Sequence, residues 1–354
     1  MKPIKNKNFW TKIHKPFFVL APMANVTDAA FRKMIAKYGK PDVMWTEFVS
    51  ADGLLSSGRK KLLIDLKYSE NERPIVAQLF TGNPEVMQVA AQLVAKQGFD
   101  GIDINMGCPD RSVEKQGGGA AMMKDSKKAL AVLAAAREGW DQSSGCDVDH
   151  LLPISVKTRI GYSKLDMKWI ELLLRQNLPS LTVHLRTRKE MSDVGAHWEL
   201  MKDIVKMRDD IYNENLLAKG KLANKRQIVR TLIIGNGDIE SLEQAREKIR
   251  ETGCDGVMIG RGIFGKPWFF SDSKSGGLHI QKTPKERLKI ILEHATTFEK
   301  MFGGTKRSKN FAVMKKHFKA YVSGWDGAKE LRVKLMESQS LKEVKQIVKE
   351  YMLE

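Results

Sequence analysis

Eight times over its first 270 residues the chain passes from a short apolar or β-branched run, through a loop, into a segment of helical period. The runs are Phe17–Pro22, Val43–Val49, Pro74–Phe80, Gly101–Gly107, Ile154–Ile160, Leu181–Arg186, Thr231–Gly237 and Gly256–Gly262. Segments such as Pro84–Gln97, Ser126–Glu138, Leu165–Gln176 and Glu240–Glu251 have the length and apolar spacing of helices. Eight strands alternating with helices over about 250 residues is what a closed (β/α)8 barrel requires, whereas a doubly wound sheet commonly uses five or six. The expected fold is an α/β TIM barrel over residues 1–272. Two polar interruptions, Gly139–His150 and Ile211–Arg230, read as loop insertions or extended helix ends, and AKGKLANKR in the second adds basic surface.

The pattern changes after Phe270. SDSKSGG (Ser271–Gly277) reads as a linker, placed at 273–282, and from Thr283 the strands stop. PKERLKIILEHATTFEKMF, KNFAVMKKHFKAYVSGW and SLKEVKQIVKEYM then predict three or so amphipathic helices, with Thr283 and Pro284 a good N-cap and first-turn pair. Residues 283–354 are expected to form a small, all-helical C-terminal domain.

Charge bears on what that domain meets. The chain carries a formal net charge of +18, and a basic surface attracts polyanions by releasing their counterions. A Lys-rich protein that binds nothing specific is the bland alternative. The distribution weakens it: residues 283–354 hold 16 Lys/Arg against 9 Asp/Glu, and Lys2, Lys5, Lys7, Lys12 and Lys15 precede the first acid, Asp28. Three cysteines, Cys108, Cys146 and Cys254, are too few and scattered for a disulfide framework or structural zinc site, and no metal site is expected. No apolar run approaches the roughly 18 residues of a membrane span, and no signal-peptide core is present. A reduced, cytoplasmic, monomeric protein without membrane attachment is expected.

In a barrel strand alternate side chains face the helices and the axis, and chemistry gathers at the C-terminal ends. In Gly101–Gly107 the outward set is Ile102, Ile104 and Met106, leaving Asp103 and Asn105 inward. In SVKTRI, Lys157 and Arg159 face inward; LTVHLR puts Thr182, His184 and Arg186 on one face; Gln78 lies near the end of the third strand. Any one of these could be a satisfied polar layer of the barrel, but their convergence at strand ends points to a site.

The last two runs end in IIGNGDI and VMIGRGIFG. Glycines there allow backbone N–H groups to approach an anion, and barrels commonly hold a phosphate after strands seven and eight. GRGIFG also matches G-x-G-x-x-G literally, but no βαβ unit follows it and no strand-borne acid lies some 20 residues on, so the phosphate cradle is preferred. A phosphate site plus Lys157 suggests a phosphorylated cofactor. Flavin mononucleotide (FMN) fits, with Arg261 and glycine amides at its phosphate and Lys157 at the pyrimidine edge of its ring. An aldolase with Lys157 as Schiff-base nucleophile is the competing idea, and it leaves Cys108 unexplained. Cys108 is followed by Pro109 and has no neighbouring His in sequence. A thiol near its reference pKa of roughly 8.5 is mostly neutral at pH 7, which suits a proton donor. Cys146 and Cys254 are read as structural.

LAPMANVTDAAFR (Leu20–Arg32), AQLF (Ala77–Phe80), DINMGCP (Asp103–Pro109), VKTRIGY (Val156–Tyr162), HLRTR (His184–Arg188), IGNGDI and VMIGRGIFGKPW together resemble the tRNA-dihydrouridine synthases, most closely their bacterial B-type branch. The resemblance runs in order and spacing from about Phe17 to Trp268 and continues more loosely into the basic tail. It implies a flavin-dependent reduction of uridine in tRNA, in which NADPH reduces bound FMN, flavin N5 passes hydride to C6 of uracil, and Cys108 protonates C5. On matching positions, Pro22, Met23 and Ala24 line the flavin ring, Gln78 and Lys157 meet its pyrimidine edge, and His184 contacts it. Asn236, Gly237, Asp238, Gly260 and Arg261 surround the ribityl phosphate. Asn105 helps hold the uracil, with Arg159, Arg186 and Arg188 also assigned to the substrate. Leu185, at a position often glycine in the family, and the glycine-rich Gly117–Gly119 depart from the pattern and bear on loop mobility.

A uracil inside folded tRNA must be unstacked to be reached, which suits a deep barrel mouth. Lys306, Arg307, Lys309, Lys315, Lys316 and Lys319 are the candidate grips on the phosphate backbone, with Lys315, Lys316 and Lys319 foremost. The interleaved Phe318, Tyr321 and Trp325 are expected in the helical core rather than stacked on bases. Two other functions compete: an FMN barrel acting on a small molecule, which the basic tail argues against, and a nonenzymatic RNA-binding scaffold, which the intact Cys108, Lys157 and His184 argue against.

Overall fold

The computed structural model describes residues 8–144, 151–219, 228–271, 282–304 and 308–353. In chain order the elements are β1 (Phe17–Leu20), α1 (Ala29–Tyr38), β2 (Met44–Ser50), the short α2 (Ala51–Leu54) and α3 (Arg59–Leu62), β3 (Ile75–Phe80) and α4 (Pro84–Lys96). They continue with β4 (Gly101–Met106), the short α5 (Arg111–Lys115), α6 (Ser126–Ser144), β5 (Ile154–Arg159), α7 (Met167–Leu174), β6 (Ser180–His184), α8 (Met201–Lys219), β7 (Leu232–Asn236), α9 (Leu242–Thr252) and β8 (Gly256–Ile259). The eight strands form one parallel sheet in the order β1-β8-β7-β6-β5-β4-β3-β2. A bridge between Val19 and Val43 brings the two edges together, with Leu20 N–H donating to Val43 O at 3.2 Å and Asp42 N–H to Phe18 O at 2.9 Å. The result is the expected barrel, with strands within a few residues of the predicted runs.

The alternation is as expected on β4. Ile102, Ile104 and Met106 join the apolar layer under the helices, while Asp103 and Asn105 are buried on the axis side. Thr158 on β5 also faces outward, where its Oγ1 accepts from Trp169 Nε1 of α7 at 2.8 Å. Bulky side chains fill the lower barrel: Phe17, Val19, Trp45, Val76, Ile234 and Met258, closed below by Trp10. At that same N-terminal face Asp255 takes Arg208 Nη1 at 2.7 Å and Lys15 Nζ at 2.5 Å, a tie that belongs to stability rather than chemistry. Cys254 beside it is buried, as a structural thiol should be. Cys146 lies outside the described residues, as do 272–281, which contain most of the predicted linker. The first polar interruption begins as the end of α6 and the second as the end of α8.

Among its described residues the C-terminal part has four α-helices rather than about three: α10 (Pro284–Phe302), α11 (Met314–Tyr321), α12 (Ala328–Glu337) and α13 (Leu341–Tyr351). Thr283 caps α10 in a capping box with Glu286, as its sequence predicts. α12 escaped notice because its apolar positions, chiefly Leu331 and Leu335, are few and sit between charges. Phe318 and Tyr321 are fully buried in this unit, and Trp325 donates to Tyr351 Oη at 3.0 Å. These aromatics are core, as expected.

The helical unit is seated on α1. Glu293 of α10 accepts from Lys37 Nζ and Tyr38 Oη, both at 2.6 Å, and Phe31 of α1 packs against His294 and His317 at ring distances of 5.2 and 4.5 Å. Burial holds both imidazoles neutral, His294 well below the usual range and His317 down to about 3. The Nε2 atoms of both are buried without a hydrogen-bond partner. The unfolded chain takes up these protons below about pH 6.5 and the folded chain does not, so each histidine removes stability as pH falls. His317→Leu should therefore make the loss of stability between pH 6 and 4.5 shallower by about 1.4 kcal/mol per pH unit. Urea unfolding at each pH measures it, and an unchanged slope would mean that His317 charges within the fold.

Candidate active site at the barrel mouth

A cavity of about 780 Å³ opens at the C-terminal ends of the strands. Its walls are Ala21, Pro22 and Met23 after β1, Lys157 and Arg159 on β5, His184 and Arg186 at the end of β6, Asn236–Glu240 after β7, and Gly260–Gly262 after β8. Five cations (Lys157, Arg159, Arg186, Arg261, Lys266) face it against two carboxylates (Asp238, Glu240). Its field suits an anionic ligand.

Within this wall the charges are unequally committed. Arg186 is buried and donates to Val194 O at 2.6 Å and to Asp238. Asp238 also accepts from Ala196 N–H at 2.9 Å and from Arg261 at 3.1 Å, contacts that hold its carboxyl below the usual range although burial opposes them. His184 Nε2 lies 3.3 Å from Arg186 Nη1. Burial and the surrounding Lys157, Arg159, Arg186 and Arg261 keep that imidazole neutral, so Nε2 is the acceptor. Lys157 is different: its ammonium has no hydrogen-bond partner among the described residues, and burial followed by Arg159 lowers its pKa to about 8. A half-buried ammonium without a partner is set up for an acceptor that the chain itself does not supply.

At Gly260 an added Cβ would meet only Met23 Sδ at 3.6 Å and Ala21 Cβ at 3.7 Å. The 3-10 turn it begins, Arg261–Ile263, has no side-chain cap, so its first amides remain available. Gly237, by contrast, has φ +137° and a Cβ there would lie 2.6 Å from Ala196 Cβ. Only glycine is compatible with that turn.

A buried polar chain runs beside the cavity across three strands. Ser155 donates to Asp103 at 2.6 Å, Gln78 Nε2 donates to Asp103 at 2.6 Å, and Asn105 Nδ2 donates to Gln78 Oε1 at 3.1 Å. Burial raises the Asp103 carboxyl to about 6 against these contacts. Asn105 Oδ1 accepts the N–H groups of Gly107 at 3.2 Å and Cys108 at 2.9 Å. Asn105 therefore orients the turn that carries Cys108. Burial pushes the Cys108 thiol up, a backbone contact at Asp110 opposes this, and the charge of Asp110 adds to it, with Lys157 and Arg159 pulling back. The thiol is protonated at neutral pH.

Two arginines brace that turn, Arg159 from the end of β5 and Arg188 from the loop after β6. Arg159 donates to Gly107 O at 3.0 Å, Thr187 O at 2.9 Å and Met191 O at 3.0 Å. Arg188 pairs with Glu114 at 2.6 Å and reaches Pro109 O at 3.4 Å. Of the glycines after it, Gly119 has φ +58°, and a Cβ there would lie 2.6 Å from Cys108 O. Close packing requires glycine at that position.

Most of the predicted site residues converge. Pro22, Met23, Lys157, Arg159, His184, Arg186, Asn236, Gly237, Asp238, Gly260 and Arg261 line the cavity; Cys108 itself does not, but the next residue, Pro109, does. Ala24, Gln78, Asn105 and Arg188 are not among its lining residues. Met191, Ser192, Phe264 and Lys266 also line it; Met191 and Ser192 lie in a loop without a periodic or motif signal, while Phe264 and Lys266 belong to VMIGRGIFGKPW but are not singled out by it as site residues. Lys316 and Lys319 are exposed on α11 and Lys315 half-buried, away from the cavity lining. Lys306 and Arg307 lie outside the described residues. Lys309 is corrected: it is buried in ion pairs with Glu47 at 2.6 Å and Asp65 at 2.7 Å, so it is not a surface grip.

The fold and this mouth define a (β/α)8-barrel enzyme whose electropositive site sits at the strand ends, with a protonated thiol on the loop beside it. The dihydrouridine synthase (Dus) family model matches residues 19–354. A probable tRNA-dihydrouridine synthase of Staphylococcus aureus strain COL is 36% identical over 98% of this chain and 96% of its own length. Probable tRNA-dihydrouridine synthase 2 of Bacillus subtilis strain 168 is 34% identical over 98% and 97%. Among solved structures, a morphinone reductase aligns with 80% of this chain and 94% of its own, at 12% identity and a TM-score of 0.49. The chain belongs to the dihydrouridine synthase family.

Proposed function

We propose that this enzyme reduces the C5–C6 double bond of uridines in tRNA to 5,6-dihydrouridine, using FMN held in the cavity and NADPH as electron donor. The observation that carries it is the meeting, at one mouth, of the unpartnered Lys157 ammonium and the loop that presents the protonated Cys108 thiol. The residues fit FMN on three counts: a cationic lining, an ammonium without a partner among the described residues, and a glycine, without a side chain, at 260 beside an uncapped turn.

When bound, FMN would supply the hydride chemistry for reduction of the uracil at C6. Lys157 holds positive charge where the pyrimidine edge of the ring would lie and stabilises the negative charge of the reduced form. Arg261 and the first amides of Arg261–Ile263 hold the phosphate. Pro22 and Met23 give the ring an apolar face. Cys108 delivers its Sγ proton to C5, oriented by the hydrogen bonds from its turn to Asn105. The exposed Lys316 and Lys319 with Lys315 supply positive charge for an RNA backbone. Among the described residues no helix is long and apolar enough to cross a membrane.

Expression of the full chain in cells that lack dihydrouridine should restore that base at one or more tRNA positions, mapped by chemical sequencing of the purified tRNA. The purified protein should show a flavin absorbance band. Restored flavin without restored dihydrouridine would move the substrate elsewhere; no flavin band even after FMN is added would overturn the reading.

A further inference from the structure

Glu47 does not line the cavity, yet its carboxylate joins three separate parts of the chain. It stands on β2 where the register to β3 slips between Trp45 and Phe48, a bulge of the kind that re-aims a side chain near a site. Thr46 secures the bulge, accepting Gln78 N–H at 3.1 Å and donating to Glu47 O at 2.8 Å. Glu47 is buried. Its Oε1 accepts Asn25 N–H at 2.5 Å, and its Oε2 accepts Lys309 Nζ at 2.6 Å.

Each partner matters. Asn25 lies within the turn that follows Pro22 and Met23, closed by Val26 N–H to Met23 O at 3.1 Å, and its backbone is in the left-handed region at φ +55°. A residue other than glycine stays there only where its surroundings over-determine it. Lys309 comes from the helical unit, just before α11, and also pairs with Asp65 at 2.7 Å. Asp28, the N-cap of α1, acts on the same ammonium through its charge. Burial raises the Glu47 carboxyl, and Lys309 is the largest influence holding it down. Removal of Lys309 leaves a buried acid without its counter-charge, a state that a protein relieves by protonation or by letting water in.

We propose that Glu47 is a positioning residue through which the C-terminal helical unit fixes the cavity wall: Lys309 holds Glu47, and Glu47 holds the Asn25 turn that follows Pro22 and Met23. Flavin affinity then depends on a lysine of the helical unit that does not line the cavity. This inference rests on the flavin reading of that cavity.

The test uses the full chain with Lys309→Met, Lys309→Arg and Glu47→Ala. Without ligand, Lys309→Met and Glu47→Ala should both speed amide exchange across residues 21–28 while β4 exchanges as in the wild type. Both should weaken FMN binding, followed by quenching of flavin fluorescence, by about 5- to 150-fold. The pair combined should do little more than either alone, as expected of two residues acting as one device. Lys309→Arg should restore both readouts. Wild-type exchange across 21–28 in both variants would overturn the proposal, as would faster exchange spread equally over β4, the mark of a merely structural loss. If wild-type protein itself does not bind FMN, the flavin reading fails, and the exchange measurement alone decides whether Lys309 fixes the turn.

Discussion

Cys108→Ala is expected to lower uridine reduction by about 10²- to 10⁴-fold, the usual contribution of a positioned general acid, while FMN binding and NADPH-driven flavin reduction continue at wild-type rates. The substitution removes only Sγ. The backbone contacts that shape the turn remain, namely Cys108 N–H to Asn105, Ala120 N–H to Cys108 O at 2.9 Å, and Arg159 to Gly107 O. Loss of the proton is thus separated from collapse of the loop. The sign of the pH dependence follows from the same burial. The donor must be protonated, and its pKa lies above the ordinary thiol value, so the step should be level through neutral pH and decline only in the alkaline range. Single-turnover mixing of reduced enzyme with tRNA isolates this step. A Cys108→Ala enzyme that reduces tRNA at the wild-type rate would assign the proton to another group.

The barrel was legible because strand and helix have different periods, and the inward set on β4 and β5 followed from alternation alone. The glycine-bearing turns after β7 and β8 pointed to the mouth, and Gly237, Gly260 and Gly262 do line the cavity. Partners were harder to read. The expectation for Asn105 concerns uracil alone; that its Oδ1 also accepts two N–H groups of the Cys108 turn has no sequence signal, because the geometry depends on a turn with no periodic signature. Lys309 looked like one more cation in a basic tail. Its acid lies 262 residues earlier on β2, and no local pattern reveals an ion pair that exists only once the helical unit is seated. Composition thus located the basic region but could not tell a solvated lysine from a buried one.

The largest stability effect is expected at Arg32, on the inner face of α1. Its side chain is fully buried, as is that of Glu72, which it meets at 2.7 Å. It also donates to Thr27 O at 2.7 Å and to Lys67 O. Glu72 in turn accepts from Ser69 N–H at 2.8 Å, so one buried pair ties α1 to the segment that leads into β3. Arg32→Met keeps length and apolar bulk but leaves a buried carboxylate without its counter-charge and two carbonyls without donors. Breaking a buried pair from one side costs about 3–5 kcal/mol, because the abandoned charge stays desolvated. Glu72→Gln keeps an acceptor and should cost less. Arg32→Met combined with Glu72→Leu should be milder than the sum of the two single changes, since it abandons no charge. The effect also reaches the site: Thr27 Oγ1 accepts Met23 N–H at 2.9 Å, so loosening Thr27 loosens the wall that carries Met23. Urea unfolding at one fixed FMN concentration keeps ligand stabilisation constant across the series. An Arg32→Met midpoint equal to that of the wild type would show that the apolar face of α1 alone holds the helix to the barrel.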